Sequence, residues 1–132
     1  MSDPLTSFPL RISTREGHRS RKRLHVHIWK NLKDLRRAAK ASSTKSARYW
    51  KNALGAYVGV RKGNQFGEIH LWINMLGAGY FAHELQHFMD DFETATEKQP
   101  LDNEANERMA WLAGELTAEF WTKFYERFEM KG

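Results

Sequence analysis

The chain has 132 residues, 41% of them hydrophobic and 28% charged, with a net charge of +5 and no cysteine. That length fits one domain around one core, and the lack of cysteine excludes disulfides and thiolate metal ligands, so any metal must rest on His, Asp or Glu. No apolar run nears the roughly 20 residues that span a bilayer, and Met1–Leu10 lack a secretory signal pattern, so a cytoplasmic setting without membrane contact is expected.

Charge divides the chain. Residues 1–62 hold 16 of the 21 Lys and Arg and 3 of the 16 acids, a net +13, which leaves −8 for residues 63–132. A basic half of this kind fits a nucleic acid or an acidic protein as partner, or simply faces the acidic half. Residues 1–23, broken by Pro4, Pro9 and Gly17 and ending in Arg19, Arg21, Lys22 and Arg23, read as a basic, flexible tail. Residues 24–132 read as the folded domain.

Leu24–Trp29 alternates, with Leu24, Val26 and Ile28 on one face and His25, His27 and Trp29 on the other, which predicts a strand. Asn31 can cap a helix to about Lys40. A second strand is predicted over Ala53–Lys62 and a third over Glu68–Asn74. The glycine-rich turn Gly63–Gly67 between them makes the two a hairpin. Gly77 and Gly79 precede a helix from about Tyr80 to Phe92, and a long last helix starts at Asp102 or Asn103 and runs to about Phe128. The expected fold is α+β: a short, mainly antiparallel sheet against two helices. One aromatic stripe of the last helix, Trp111, Ala118, Trp121, Tyr125 and Phe128, suits core packing or a homodimer, so monomer and homodimer both stay open.

The chemistry concentrates in His83-Glu84-Leu85-Gln86-His87. Residues four apart share a helix face, so His83 and His87 can grip one ion. Glu84, turned about 100° from His83, sits beside that ion, where it can take a proton from water and pass it to a leaving amine. A catalytic zinc needs three protein ligands and an open position. Glu104 and Glu107 compete for the third place. The stripe through Glu107 carries Ala110, Gly114 and Ala118, small enough for close helix approach, and favours Glu107; the other acid would then orient a ligand histidine. Asp90 and Asp91 are further supporting candidates. Tyr57, His70, Tyr80 and Tyr125 are candidate oxyanion donors, and the residues alone choose none of them. His25 and His27 form a weaker metal candidate.

From Gly67 to Trp121 the sequence resembles small H-E-x-x-H proteins of phages and prophages. The shared features are a strand like Ile69-His70-Leu71, the zinc helix, and a Glu-x-x-Ala-aromatic-Leu-x-Gly-x-Leu-Thr pattern met at Glu107–Thr117. Glu104-Ala105-Asn106 is similar to a segment of ImmA/IrrE-type peptidases, and Asn103-Glu104-Ala105 to an element of thermolysin-like enzymes. The resemblance implies a minimal zincin fold and zinc, with Glu107, or Glu104 by the looser similarity, as third ligand. The function expected from the sequence is zinc-dependent hydrolysis of a peptide or protein. The rivals are a non-catalytic nucleic-acid or host-protein binding module, and a protease delivered to DNA by the basic region. Glu84 separates them, because a purely structural metal site has no use for an acid beside its ligands.

Overall fold

The structure, a computed structural model, describes residues 3–13, 19–96 and 103–128. Its elements run β1 (Thr6–Ser13), β2 (Arg19–Trp29), α1 (Leu32–Ser42), β3 (Gly55–Val58), β4 (Gln65–Trp72), a 3-10 turn (Ile73–Ala78), α2 (Tyr80–Thr96) and α3 (Asn103–Phe128). The strands form one sheet in the order β1-β2-β4-β3. Both outer pairs are antiparallel, and the central β2–β4 pair is parallel. The α+β class is therefore as expected, and the sheet is mixed. The parallel centre arises because α1 intervenes between β2 and the β3–β4 hairpin and carries the chain back across the sheet.

Of residues 1–23, read as a tail, 6–13 form β1 and 19–23 the start of β2, while 1–2 and 14–18 lie outside the described residues. Phe8, Leu10 and Ile12 alternate and are buried, a period-two signal that the prolines and basic residues obscured. Pro9 is tolerated because β1 is an edge strand. That edge is also covered: the Arg11 backbone N–H donates to Glu119 of α3 at 2.6 Å, and Lys123 donates to the Pro9 carbonyl.

The two sheet faces differ. Phe8, Leu10, Leu24, Val26, Ile28, Ile69 and Leu71 meet Phe81, Leu85 and Phe88 of α2 and Leu112, Leu116 and Phe120 of α3 in the main core. Phe81 and Phe120 stack with ring centroids 3.8 Å apart, fixing α2 against α3. The other face carries the alternate residues, and α1 packs there. Ala39, Trp50, Ala56 and Val58 make a second, smaller cluster. Asn31 caps α1 as predicted, accepting from the Asp34 N–H at 2.9 Å. No helix among the described residues is long and apolar enough to cross a membrane.

Gly79 ends the 3-10 turn with φ +81° and nothing within 4 Å of where a Cβ would stand. Only its left-handed conformation demands glycine, and it turns the chain from β4 into α2. That reversal lays α2 beside β3, the strand at the open edge of the sheet.

Candidate metal centre

The helix of the motif buries Phe81, Leu85, Phe88 and Met89 and turns His83 and His87 outward. The imidazole rings stand 5.0 Å apart, nearly perpendicular. His83, Glu84 and His87 each offer a ligand atom within 4.8 Å of the others, a group that could hold a metal ion. Two imidazole nitrogens and a carboxylate oxygen, with no thiolate, suit zinc and its neighbours among the transition metals.

Glu84 is 5% exposed and no hydrogen bond from a described residue reaches its carboxylate. Burial pushes its pKa up to about 7, with the charge of His83 pulling the other way. The space for this carboxylate exists because β3 has a glycine opposite it. A Cβ on Gly55 would lie 3.0 Å from the Glu84 Oε2 and 3.4 Å from its Cγ.

A cleft of about 350 Å³ opens in front of the group, lined by Tyr49, Trp50, Gly55, Ala56, Tyr57, His83, Glu84, His87 and Asp91. Its lower corner is braced. Arg61 forks onto Asp91 with two 2.9 Å bonds, the Tyr57 hydroxyl donates to Asp91 at 2.5 Å, and the guanidinium lies over Phe66. Burial alone would raise the Asp91 pKa, but the bonds from Arg61 and Tyr57 outweigh it and hold it below its ordinary value. Burial and the Asp91 carboxylate push the Tyr57 hydroxyl well above its usual range. This brace ties β3 to α2, and Gly67 makes room for it: a Cβ there would meet the Tyr57 ring and hydroxyl inside 3.0 Å.

The expected third ligands lie elsewhere. Glu107 and Glu104 are exposed on α3, outside the group, and Glu104 is 3.8 Å from Arg108 one turn on. Ala110, Gly114 and Ala118 are exposed, and nothing lies within 4 Å of a Cβ on Gly114. The contact stripe is Leu112, Leu116 and Phe120, and Glu107 lies about 140° round the helix from Leu112.

Of the other candidates, Asp91 lines the cleft, while Asp90 is exposed and accepts from Gln86. Tyr57 lines the cleft with its hydroxyl engaged by Asp91; Tyr80 and Tyr125 are not among the cleft's lining residues. His70 is 2% exposed, and its ring sits in a polar cluster with Trp29 and His27. The Trp29 N–H donates to its Nδ1 at 3.0 Å, which leaves the proton on Nε2 to donate to Glu68 at 3.0 Å. His27 joins this cluster, stacking on His70 and lying 3.8 Å from Glu68; His25 is 6.5 Å away, centroid to centroid. Sequence reading missed Tyr49, Trp50 and Gly55. Tyr49 and Trp50 sit in a polar, aperiodic loop and Gly55 at the start of β3, so only the fold brings the three together at the cleft. Tyr49 is 62% exposed, and Trp50 keeps a buried indole N–H without a partner among the described residues.

Comparison of the chain with protein-family models, with curated proteins and with solved structures returns no match.

Proposed function

We propose that the chain is a zinc-dependent peptidase in which His83 and His87 hold the ion and Glu84 moves the proton. The observation that carries this reading is one conjunction. Two exposed imidazoles and a buried carboxylate that takes no hydrogen bond from a described residue meet at a cleft along the outer strand of the sheet.

Bound there, zinc would act as a Lewis acid toward water and the scissile carbonyl. The remaining steps fall to side chains. The outer edge of β3 presents main-chain groups that can pair with an extended peptide and hold its carbonyl beside the imidazoles. Glu84, confined between Gly55 and α2, accepts the proton of the attacking water and returns it to the leaving amine. Tyr49 is the cleft tyrosine whose hydroxyl makes no hydrogen bond to a described residue, and it is the oxyanion donor in this reading. Glu104 and Glu107 face outward on α3, so the groups that would hold the ion are the two imidazoles, one protein ligand short of the three a catalytic zinc takes, with the Glu84 carboxylate within reach of both.

Zinc titration of metal-stripped protein tests the reading. About one ion should bind per chain, and binding should disappear when His83 and His87 are both changed to alanine. A chain that takes no zinc, or takes it equally after both changes, contradicts the proposal.

A further inference from the structure

Between Leu35 and Gly67 the chain carries eight Lys and Arg and no Asp or Glu. This span supplies most of α1, the loop after it, β3 and the following turn, and therefore one whole wall of the cleft. A second cavity, of about 230 Å³, continues the first. It is lined by Ser42–Lys45 and by Val58 and Gly59, and it shares Tyr49, Trp50 and Tyr57 with the cleft. The two make one groove along the outer edge of residues 55–59, roughly 16 Å of extended chain.

Three cations lie on or beside this wall in sequence. Lys45 lines the groove, with its ammonium 5.5 Å from the centre of the Tyr49 ring. Arg48 and Lys51 are exposed and flank the lining residues Tyr49 and Trp50 in sequence, without themselves lining either cavity. None of the three pairs with an acid among the described residues. Arg61 differs, being occupied by Asp91. The opposite wall contributes two acids, Glu84 against Gly55 and Asp91 under Arg61, and neither is paired with these three cations.

We infer that the groove takes an extended, acidic peptide segment, its main chain paired with β3 and its carboxylates on Lys45, Arg48 and Lys51. The inference rests on the peptidase reading and gives that site a substrate class. A basic wall also attracts nucleic acid. The peptide is favoured because the groove follows a strand edge, whose alternating donors and acceptors match a polypeptide and not a phosphate backbone.

The test uses the zinc-loaded Glu84→Gln chain, which holds substrate without turnover, and three fluorescent decapeptides. They share one neutral scaffold and carry four Glu, four Gln or four Lys. Anisotropy should show the Glu peptide binding about tenfold more tightly than the Gln peptide, since exposed ion pairs each contribute only a fraction of a kcal/mol. The Lys peptide should bind weakest, and the preference should shrink as salt rises. The triple variant K45E/R48E/K51E changes only exposed side chains and should fold with unchanged circular dichroism while reversing the order. Equal binding of the three peptides, or an order unchanged by the triple variant, overturns the inference. So does displacement of the Glu peptide by oligothymidine at equal affinity, which assigns the wall to nucleic acid. These readouts involve no cleavage. Failure of the zinc-loaded wild-type chain to cut a peptide that it binds by charge contradicts the peptidase reading alone.

Discussion

Replacing Gly55 by alanine probes the site without touching a metal ligand. The new methyl would stand 3.0 Å from the Glu84 Oε2, 3.4 Å from its Cγ and 3.4 Å from the His70 carbonyl oxygen, so the carboxylate must give by a few tenths of an ångström. Gly55 does not have a positive φ, so alanine fits the backbone and the contact is the whole perturbation. Glu84 is buried and cannot swing freely into solvent. Overpacking of this kind costs about 1–3 kcal/mol, and removing a glycine from a strand returns about 0.5–1 kcal/mol. A net loss of about 1 kcal/mol should lower the melting temperature by roughly 4 °C in a domain of this size. A reacting group displaced by about 1 Å can cost about a hundredfold in rate, so a shift of a few tenths should cost on the order of tenfold. Zinc affinity should change little, because neither imidazole moves. Calorimetric melting, zinc titration and cleavage of an unfolded protein read the three quantities separately. Full activity with unchanged melting would refute the packing of Glu84 against β3, and loss of zinc binding would show that this wall shapes the ligands themselves.

The remaining predictions concern α3, the brace and pH. Glu107→Ala and Glu104→Ala should each change zinc affinity less than about threefold, because both side chains face outward on α3; a loss of tenfold or more by titration would mean that the loaded protein recruits one of them. Gly67→Ala should cost about 2–3 kcal/mol in urea unfolding, since its Cβ meets three atoms of the Tyr57 side chain inside 3.0 Å and breaks the bond to Asp91; unchanged stability would contradict the brace. Stability should fall in stages as pH drops. His70 has a folded pKa lowered chiefly by burial, so its contribution is full above 6.5 and is lost as pH falls below that value. Glu68 follows below 4.5: burial would raise its pKa, but hydrogen bonds from His27, His70 and Ser42 outweigh this and hold it far down. Asp91 follows below 3.8, and a Glu68→Gln chain with an unaltered pH profile would show that the polar cluster is not the source.

Much of the fold is legible in the sequence because its signals are local. The alternation of Leu24, Val26 and Ile28, the Asn31 cap, the hairpin turn and the glycines before Tyr80 each specify an element from a few residues. His83, Glu84 and His87 are equally legible, since spacing within one helix fixes their mutual geometry. What escaped depends on partners distant in sequence. β1 carries its alternation through Pro9 and becomes a strand only when β2 and α3 cover it. The orientation of α3 is set by Leu112, Leu116 and Phe120 fitting the sheet, and this overrode the appeal of a small-residue stripe through Glu107. In the cleft wall, Tyr49 and Trp50 belong to a loop with no periodicity and Gly55 opens β3, so the wall forms only because β3 lies at the sheet edge beside α2.

The central claim is that Glu84 moves the proton at a zinc held by His83 and His87. Its most direct test is cleavage of an unfolded protein by zinc-loaded wild-type and Glu84→Gln chains, each matched for metal content by elemental analysis. The account predicts that the variant keeps its zinc and loses hydrolysis by about a hundredfold or more, because an amide cannot accept the proton of the attacking water. Equal cleavage by the two chains at equal zinc content would contradict it.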